Sequence, residues 1–271
     1  MYEDAEVECE AFRGRGRVFC IASAGDTARR LAEEHEVVAC DINPAQLAYA
    51  RRRASGGPPE TGDAERAMSV ARAFMPLVGW TRRVLRAFLA LSDVGEQVAF
   101  WTQHLDTRRF RAGLDLVMSP TILRAVYAPQ LLSSLPANFG QILKRRLERG
   151  FARHPNALNP YAQSLLLGVT VDERQPRAAQ NIEFVEADAA CWLESCPPRS
   201  FDAFSLSNIL DGAESVYRTR LGEAVRRAAT DNAVVVLRSF AEPEPGLKNN
   251  RAEGDRSLLW GIVDVRSAHA L

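Results

Sequence analysis

Lysine is nearly missing from this 271-residue chain. Lys144 and Lys248 are the only two lysines among 34 basic side chains, and the rest are arginines. One arginine is therefore weak evidence of dedicated guanidinium chemistry. Net charge is missing too, since 34 acidic residues balance the 34 basic ones. That excludes a histone-like or generally basic nucleic-acid binder. Paired cysteines are absent. Cys9, Cys20, Cys40, Cys191 and Cys196 are odd in number and form no CxxC pair. Neither a zinc site nor a disulfide framework is expected, and a reducing cytoplasmic setting fits. No uncharged apolar run approaches the ~18 residues of a membrane span, so no transmembrane segment is expected. The acidic start, Met1 to Glu6, is no signal peptide. Glycine and proline are too few for a low-complexity chain, and the 46% hydrophobic, 25% charged composition is ordinary globular protein. The length fits one large domain, or one domain carrying an insertion.

What is there begins with a strand, Arg17–Ala22, that runs into a small-residue turn, Ser23-Ala24-Gly25-Asp26, and then a helix from Thr27. A second strand, His35–Asp41, ends in an acid. Asn43 then caps a helix with Pro44 at its first position. This strand, turn, helix, strand, acid order predicts a Rossmann-like α/β unit. Strands return at Asn181–Asp188, Ser200–Ser207, Ala233–Ser239 and 256–266, with a helix over 214–229.

Between the second and third strands the apolar spacing is helical, with Pro120, Pro129 and Pro136 as breaks. The expected organisation is a sheet domain made of residues 1–53 and 161–271, interrupted by an all-helical insertion at 54–160. Residues 64–160 carry 14 Lys/Arg against 6 Asp/Glu, so the rest of the chain is acidic by the same margin. This basic stretch is expected on the acceptor side of any site. Its aromatics (Phe74, Trp80, Phe88, Phe100, Trp101, Phe110) are expected mainly to form helical core.

The turn Ser23–Asp26, Asp41 at the end of the second strand and Asp188 at the end of the third follow the order of an S-adenosylmethionine site in the class I style. Small residues let the turn's backbone approach a ligand. The second-strand acid accepts the ribose hydroxyls, and the third-strand acid lies near the adenine. All three belong at the carboxyl edge of the sheet, where open α/β sheets bind ligands. A dinucleotide site is disfavoured because G-x-G-x-x-G is absent.

Six blocks sharpen this: Tyr2-Glu3-Asp4, Ile21–Asp26, Asp41-Ile42-Asn43-Pro44-Ala45-Gln46-Leu47, Asn159-Pro160-Tyr161, Phe204–Ile209 and Asp255-Arg256. Together they resemble the BtaA-like family of S-adenosylmethionine:diacylglycerol 3-amino-3-carboxypropyltransferases, over nearly the whole chain. The resemblance implies transfer of the aminocarboxypropyl arm to a hydroxyl or amine, with methylthioadenosine released. The acceptor is a small molecule or a lipid. Peripheral membrane contact is compatible with this, and nucleic acid and metal are not expected. An ordinary methyltransferase, an enzyme that cyclises the methionine arm and a non-catalytic binder are the alternatives.

Such a reaction needs an in-line nucleophile, a base, and a grip on the arm's ammonium and carboxylate. Tyr2, Glu3, Asp4 and Tyr161 are the candidate catalytic residues. Ser23, Ala24, Gly25, Asp26, Asp41, Ile42, Asn43, Gln46, Asp188, Ala189, Ser207 and Asn208 are the candidate contacts to S-adenosylmethionine. Asp26 and Asn43 either touch the ligand or only serve the helices they precede. Arg238 and Arg256 either clamp a carboxylate or, for Arg238, lie exposed at a strand end. The first four residues are expected to add little to the core.

Overall fold

The computed structural model describes residues 3–60, 62–126, 132, 135–136, 138–169 and 181–271. Six strands make one sheet: β1 (Arg17–Ile21), β2 (Glu36–Asp41), β3 (Ile182–Glu186), β4 (Phe201–Ser205), β5 (Ala229–Ser239) and β6 (Ile262–Ser267). Their spatial order is β3-β2-β1-β4-β5-β6. The first five are parallel, and β6 runs antiparallel to β5. Phe19 stands opposite Val38 on one side and Phe204 on the other, which fixes the central register. This topology is compatible with a Rossmann-like fold. The chain order reverses between β1 and β4, and in such sheets that switch point opens a crevice at the carboxyl edge.

Both faces of the central strands are covered, which is why β1 and β2 read as continuous apolar runs. On one face Val18, Cys20, Val37 and Ala39 pack with α1 (Glu6–Ala11), α2 (Asp26–Leu31) and α3 (Pro44–Ala54) around Phe12, Leu31 and Leu47. On the other, Phe19, Val38, Phe201 and Phe204 meet two later helices, 189–195 and 215–228, around Leu193 and Val225. Each fully buried side chain of this size contributes roughly 1.5–3 kcal/mol.

Between β2 and β3 the described residues form helices: α4 (Asp63–Phe74), α5 (Arg82–Leu89), α6 (Val94–Phe100), α7 (Arg108–Val117), α8 (Pro120–Val126), α9 (Phe139–Phe151) and α10 (Pro160–Leu167). The helices after β3 are then α11 (Ala189–Ser195) and α12 (Ser215–Ala228). The helical segment has a core of its own, built on Trp80, Phe88, Trp101, Phe110 and Phe151, with Trp80 and Phe110 stacked 4.2 Å apart. Phe74 is the exception among the expected core aromatics, at 61% exposed. Ala162, Leu165 and Leu166 of α10 join this core, so residues 160–167 pack with the helices and not with the sheet. Arg146 on α9 ties the two parts together. It is buried and donates to the carbonyls of Leu259, Phe240 and Ala241 and to Glu242.

The N-terminal residues are a correction to the sequence reading. Glu3 and Asp4 are buried, and α1 docks on the sheet with Glu8 and Phe12 fully enclosed. Among the described residues, no helix is long and apolar enough to cross a membrane, and no cluster of His, Cys, Asp and Glu can hold a metal ion.

Candidate functional site

Asp41 closes β2 at the carboxyl edge. Its Oδ2 accepts from the Ser23 N–H at 3.0 Å and its Oδ1 from the Asn43 N–H at 2.9 Å. Two backbone donors thus fix the carboxylate, and each oxygen keeps a further lone pair for a ligand. Beside it, Ile42 is 71% exposed, an apolar side chain left in solvent next to an acid. Asn43 caps α3 through the Ala45 N–H at 3.0 Å, and Gln46 lies exposed on the first turn.

The turn after β1 differs in its reason from the sequence expectation. Gly25 has φ of 85° and is the N-cap of α2. A Cβ there would lie 2.8 Å from the Cβ of Ala50 on α3. The glycine lets two helices approach, and close ligand approach is not needed to explain it. Ser23 has φ of 47°, and it and Ala24 are half-buried. Asp26 does not cap the helix. It is the first helical residue and pairs with Arg29 at 3.2 Å and Arg53 at 3.7 Å.

Asp188 lies just past β3 and caps α11 by accepting the Cys191 N–H at 2.9 Å. Burial and the adjacent Asp188 raise the pKa of the Tyr217 hydroxyl. Ala189 is buried at the start of α11. The cap accounts for Asp188 structurally, with Tyr217 beside the carboxylate and Arg220 4.0 Å away.

The switch point holds the densest polar group. The Glu3 carboxylate accepts from the Ser207 hydroxyl and from the Thr27 hydroxyl, the latter at 3.2 Å. Ser207 follows β4 with φ of 51°, and its Oγ is 3.4 Å from the Asn208 Oδ1. Asp4 forms a two-pronged pair with Arg256: Nε to Oδ2 and Nη2 to Oδ1, both at 2.7 Å. Such bidentate pairs are the strong charge-assisted kind. Burial raises the Asp4 pKa, but the hydrogen bonds and charge of Arg256 outweigh it and hold the carboxyl below its usual value. Asp4 is therefore a poor base, against the expectation that offered it as one. The Arg256 guanidinium lies 5.6 Å from the centre of the Tyr161 ring. Asn159 donates to the Arg256 carbonyl at 3.0 Å and caps α10 through the Tyr161 and Ala162 N–H groups. Tyr2 lies outside the described residues.

Of the two expectations for Arg238, exposure at a strand end is overturned. It is fully buried and clamps a carboxylate of the chain itself, donating to both oxygens of Glu8. It reaches Asp255 at 3.3 Å and the Asp4 carbonyl at 3.0 Å. Ser205 on β4 donates to Glu8 as well. Burial drives the Asp255 pKa up to about 6, with Asp4 nearby adding to the rise and Arg238 opposing it. Arg238 is shared with Glu8, and its charge does not offset that burial.

Sequence reasoning missed Glu8, Thr27 and Arg146. A charged residue inside an apolar central strand demands a buried partner, so Arg238 carried the signal for an acid such as Glu8. Arg146 lies four residues after Ile142 and four before Gly150, on the buried side of α9.

The site as a whole offers a hydrogen-bonding acid and an apolar shelf at β2, a buried carboxylate at the switch point, and a guanidinium anchored beside an aromatic ring. Compared with family models, curated proteins and solved structures, the chain returns no match.

Proposed function

We propose that this chain binds S-adenosylmethionine and transfers its 3-amino-3-carboxypropyl arm to a hydroxyl or amine acceptor, releasing methylthioadenosine. One observation carries the reading. Glu3-Asp4, Asn159–Tyr161, Ser207 and Asp255-Arg256 are far apart in the chain, yet they gather at the carboxyl edge through direct hydrogen bonds and a ring contact. They belong to the blocks that resemble the BtaA-like family, and they adjoin the Thr27 end of the Ser23–Asp26 turn.

The residues fit the ligand by their chemistry. Asp41 has the lone pairs to accept two ribose hydroxyls, and Ile42 offers an apolar surface for the base. Ser23, Ala24 and Gly25 line the turn between them. Glu3, with Ser207 and Asn208, suits an ammonium, and Arg256 suits a carboxylate. When bound, S-adenosylmethionine supplies an electrophilic carbon next to a sulfonium, with a thioether as leaving group. A general acid is then unnecessary. The chain must hold the arm in one rotamer, exclude water and accept the acceptor's proton. Because Asp4 is committed to Arg256 and Glu3 to the ammonium, the proton-accepting role falls to Tyr161. Asp4 is a positioning residue that aims the guanidinium.

Incubation with S-adenosylmethionine and a panel of alcohols and amines, with mass spectrometry of the nucleoside product, tests the proposal. Methylthioadenosine supports arm transfer. S-adenosylhomocysteine replaces it with methyl transfer, and calorimetric binding without turnover leaves a binding protein. No binding at all removes the ligand assignment.

A further inference from the structure

We infer that one corner of the helical segment is a docking surface for an anionic lipid bilayer. Three features meet there. First, α5 opens with Arg82 and Arg83 after the cap Thr81, and α7 opens with Arg108 and Arg109 after the cap Thr107. All four arginines are exposed, and among the described residues none has a carboxylate partner. Second, the two helix starts are neighbours. The Thr107 hydroxyl reaches the Val78 carbonyl at 3.5 Å, the Trp80 indole N–H donates to the Leu105 carbonyl at 2.9 Å, and Trp80 stacks on Phe110. Third, the 3-10 turn Met75–Val78 that enters this corner leaves Leu77 71% exposed, with Phe74 just before it at 61%.

The charge placement is unfavourable for the fold alone. The first turn of a helix is the positive end of its dipole and prefers acids. Here neither α5 nor α7 has an acid in its first turn, and each has two arginines. Four cations without a carboxylate partner among the described residues, on two neighbouring positive ends, repel one another until an anionic surface neutralises them. The nearest acid along the chain, Asp106, is already taken by Arg111 and Lys144.

The exposed Phe74 and Leu77 select among anionic surfaces. Phosphate groups of a bilayer lie directly above an apolar layer, so arginines and projecting apolar side chains are satisfied together. A nucleic acid would satisfy only the arginines. The corner is also linked to the candidate site: Phe88 lies in the last turn of α5, and its carbonyl accepts from Asn156, three residues before Asn159. That end is roughly 10 Å along the helix from Arg82, at 1.5 Å per residue. The inference stands independently of the S-adenosylmethionine reading.

Co-sedimentation of the full chain with two vesicle types tests it: pure phosphatidylcholine, and equimolar phosphatidylcholine and phosphatidylglycerol. Binding to the anionic vesicles only, fading with added salt, is expected. One arginine near an anionic surface changes partitioning by a factor of about five, so the four-fold Arg→Gln variant at 82, 83, 108 and 109 should bind on the order of several hundred times more weakly. Its melting temperature should match or exceed that of the wild type, which separates loss of docking from loss of fold. Leu77→Asp should also weaken vesicle binding. Three results would overturn the inference: no anionic preference, binding that survives the four-fold variant, or tight binding to an oligonucleotide that Leu77→Asp leaves unchanged.

Discussion

Replacing Glu8 with alanine should be among the most damaging single changes in this protein. Glu8 is fully buried on α1 and neutralises a fully buried Arg238 on β5. Deleting it leaves the guanidinium with Asp255 at 3.3 Å and the Asp4 carbonyl at 3.0 Å, and strands the Ser205 hydroxyl. Breaking a buried pair from one side typically costs about 3–5 kcal/mol. Set against a total stability of ~5–15 kcal/mol, that is a large share. At ~2–4 °C per kcal/mol for a chain of this size, the melting temperature should fall by roughly 6–20 °C. Urea unfolding followed by circular dichroism would measure it. The double variant Glu8→Met with Arg238→Met is the decisive comparison, because removing both charges together also removes the stranded one. It should recover most of the loss. If Glu8→Ala cost less than ~1 kcal/mol, or if the two single losses simply added in the double variant, the pair would not be the buried clamp described here.

Three further outcomes follow from the same geometry. Asp255 has a folded pKa near 6 against the ordinary 3.8, so the folded state binds the extra proton between those values. That stabilisation is complete below pH ~4 and is lost as pH rises through ~6, by on the order of 2–4 kcal/mol. Asp255→Asn should flatten this slope in a pH series of urea midpoints, and an unchanged slope would remove Asp255 as its source. Asp41→Ala should weaken S-adenosylmethionine binding by about 10- to 100-fold through the lost acceptor, and equal affinity by calorimetry would take Asp41 out of the site. Deleting residues 1–4 should lower both stability and binding of the methionine arm, because Asp4 and Glu3 are buried in hydrogen bonds. A truncated chain that melted at the wild-type temperature would show the segment to be a loose tail after all.

The sheet was legible because its strands carry local signals. Val18-Phe19-Cys20 and Val37–Cys40 are apolar on both faces, Asn43-Pro44 announces a helix, and Asp41 marks the strand end. The helical stretch was legible from apolar spacing and prolines, though one continuous period hid the break at Gly79 and the start of α5 at Arg82. The strand-end acids were found as well, but not what they do for the fold. Asp188 caps a helix through Cys191, three residues on, a local signal passed over, while Asp26 in the turn also faces Arg53, which spacing cannot reveal.

The N-terminal segment was the hardest to read, and the physics explains why. Glu3, Asp4, Glu6, Glu8 and Glu10 look like a solvated acidic tail, and by composition that is the sensible reading. The partners of Glu3, Asp4, Glu6 and Glu8 are Ser207, Arg256, Arg30 and Arg238, none of them within twenty residues. A buried ion pair leaves no periodic trace at either end. The useful clue was on the other partner: an arginine inside Val234–Ser239, a strand otherwise apolar from Val234 to Leu237, cannot be buried without an acid brought from elsewhere. Followed through, that requirement converts the tail into a structural element. It also changes the meaning of the site. The segment that presents Glu3 at the switch point is held by Arg238 through the Asp4 carbonyl and by Arg256 through the Asp4 carboxylate. The position of Glu3 at the switch point is therefore set by two arginines that hold one aspartate by its carbonyl and its carboxylate, and disturbing either should move Glu3.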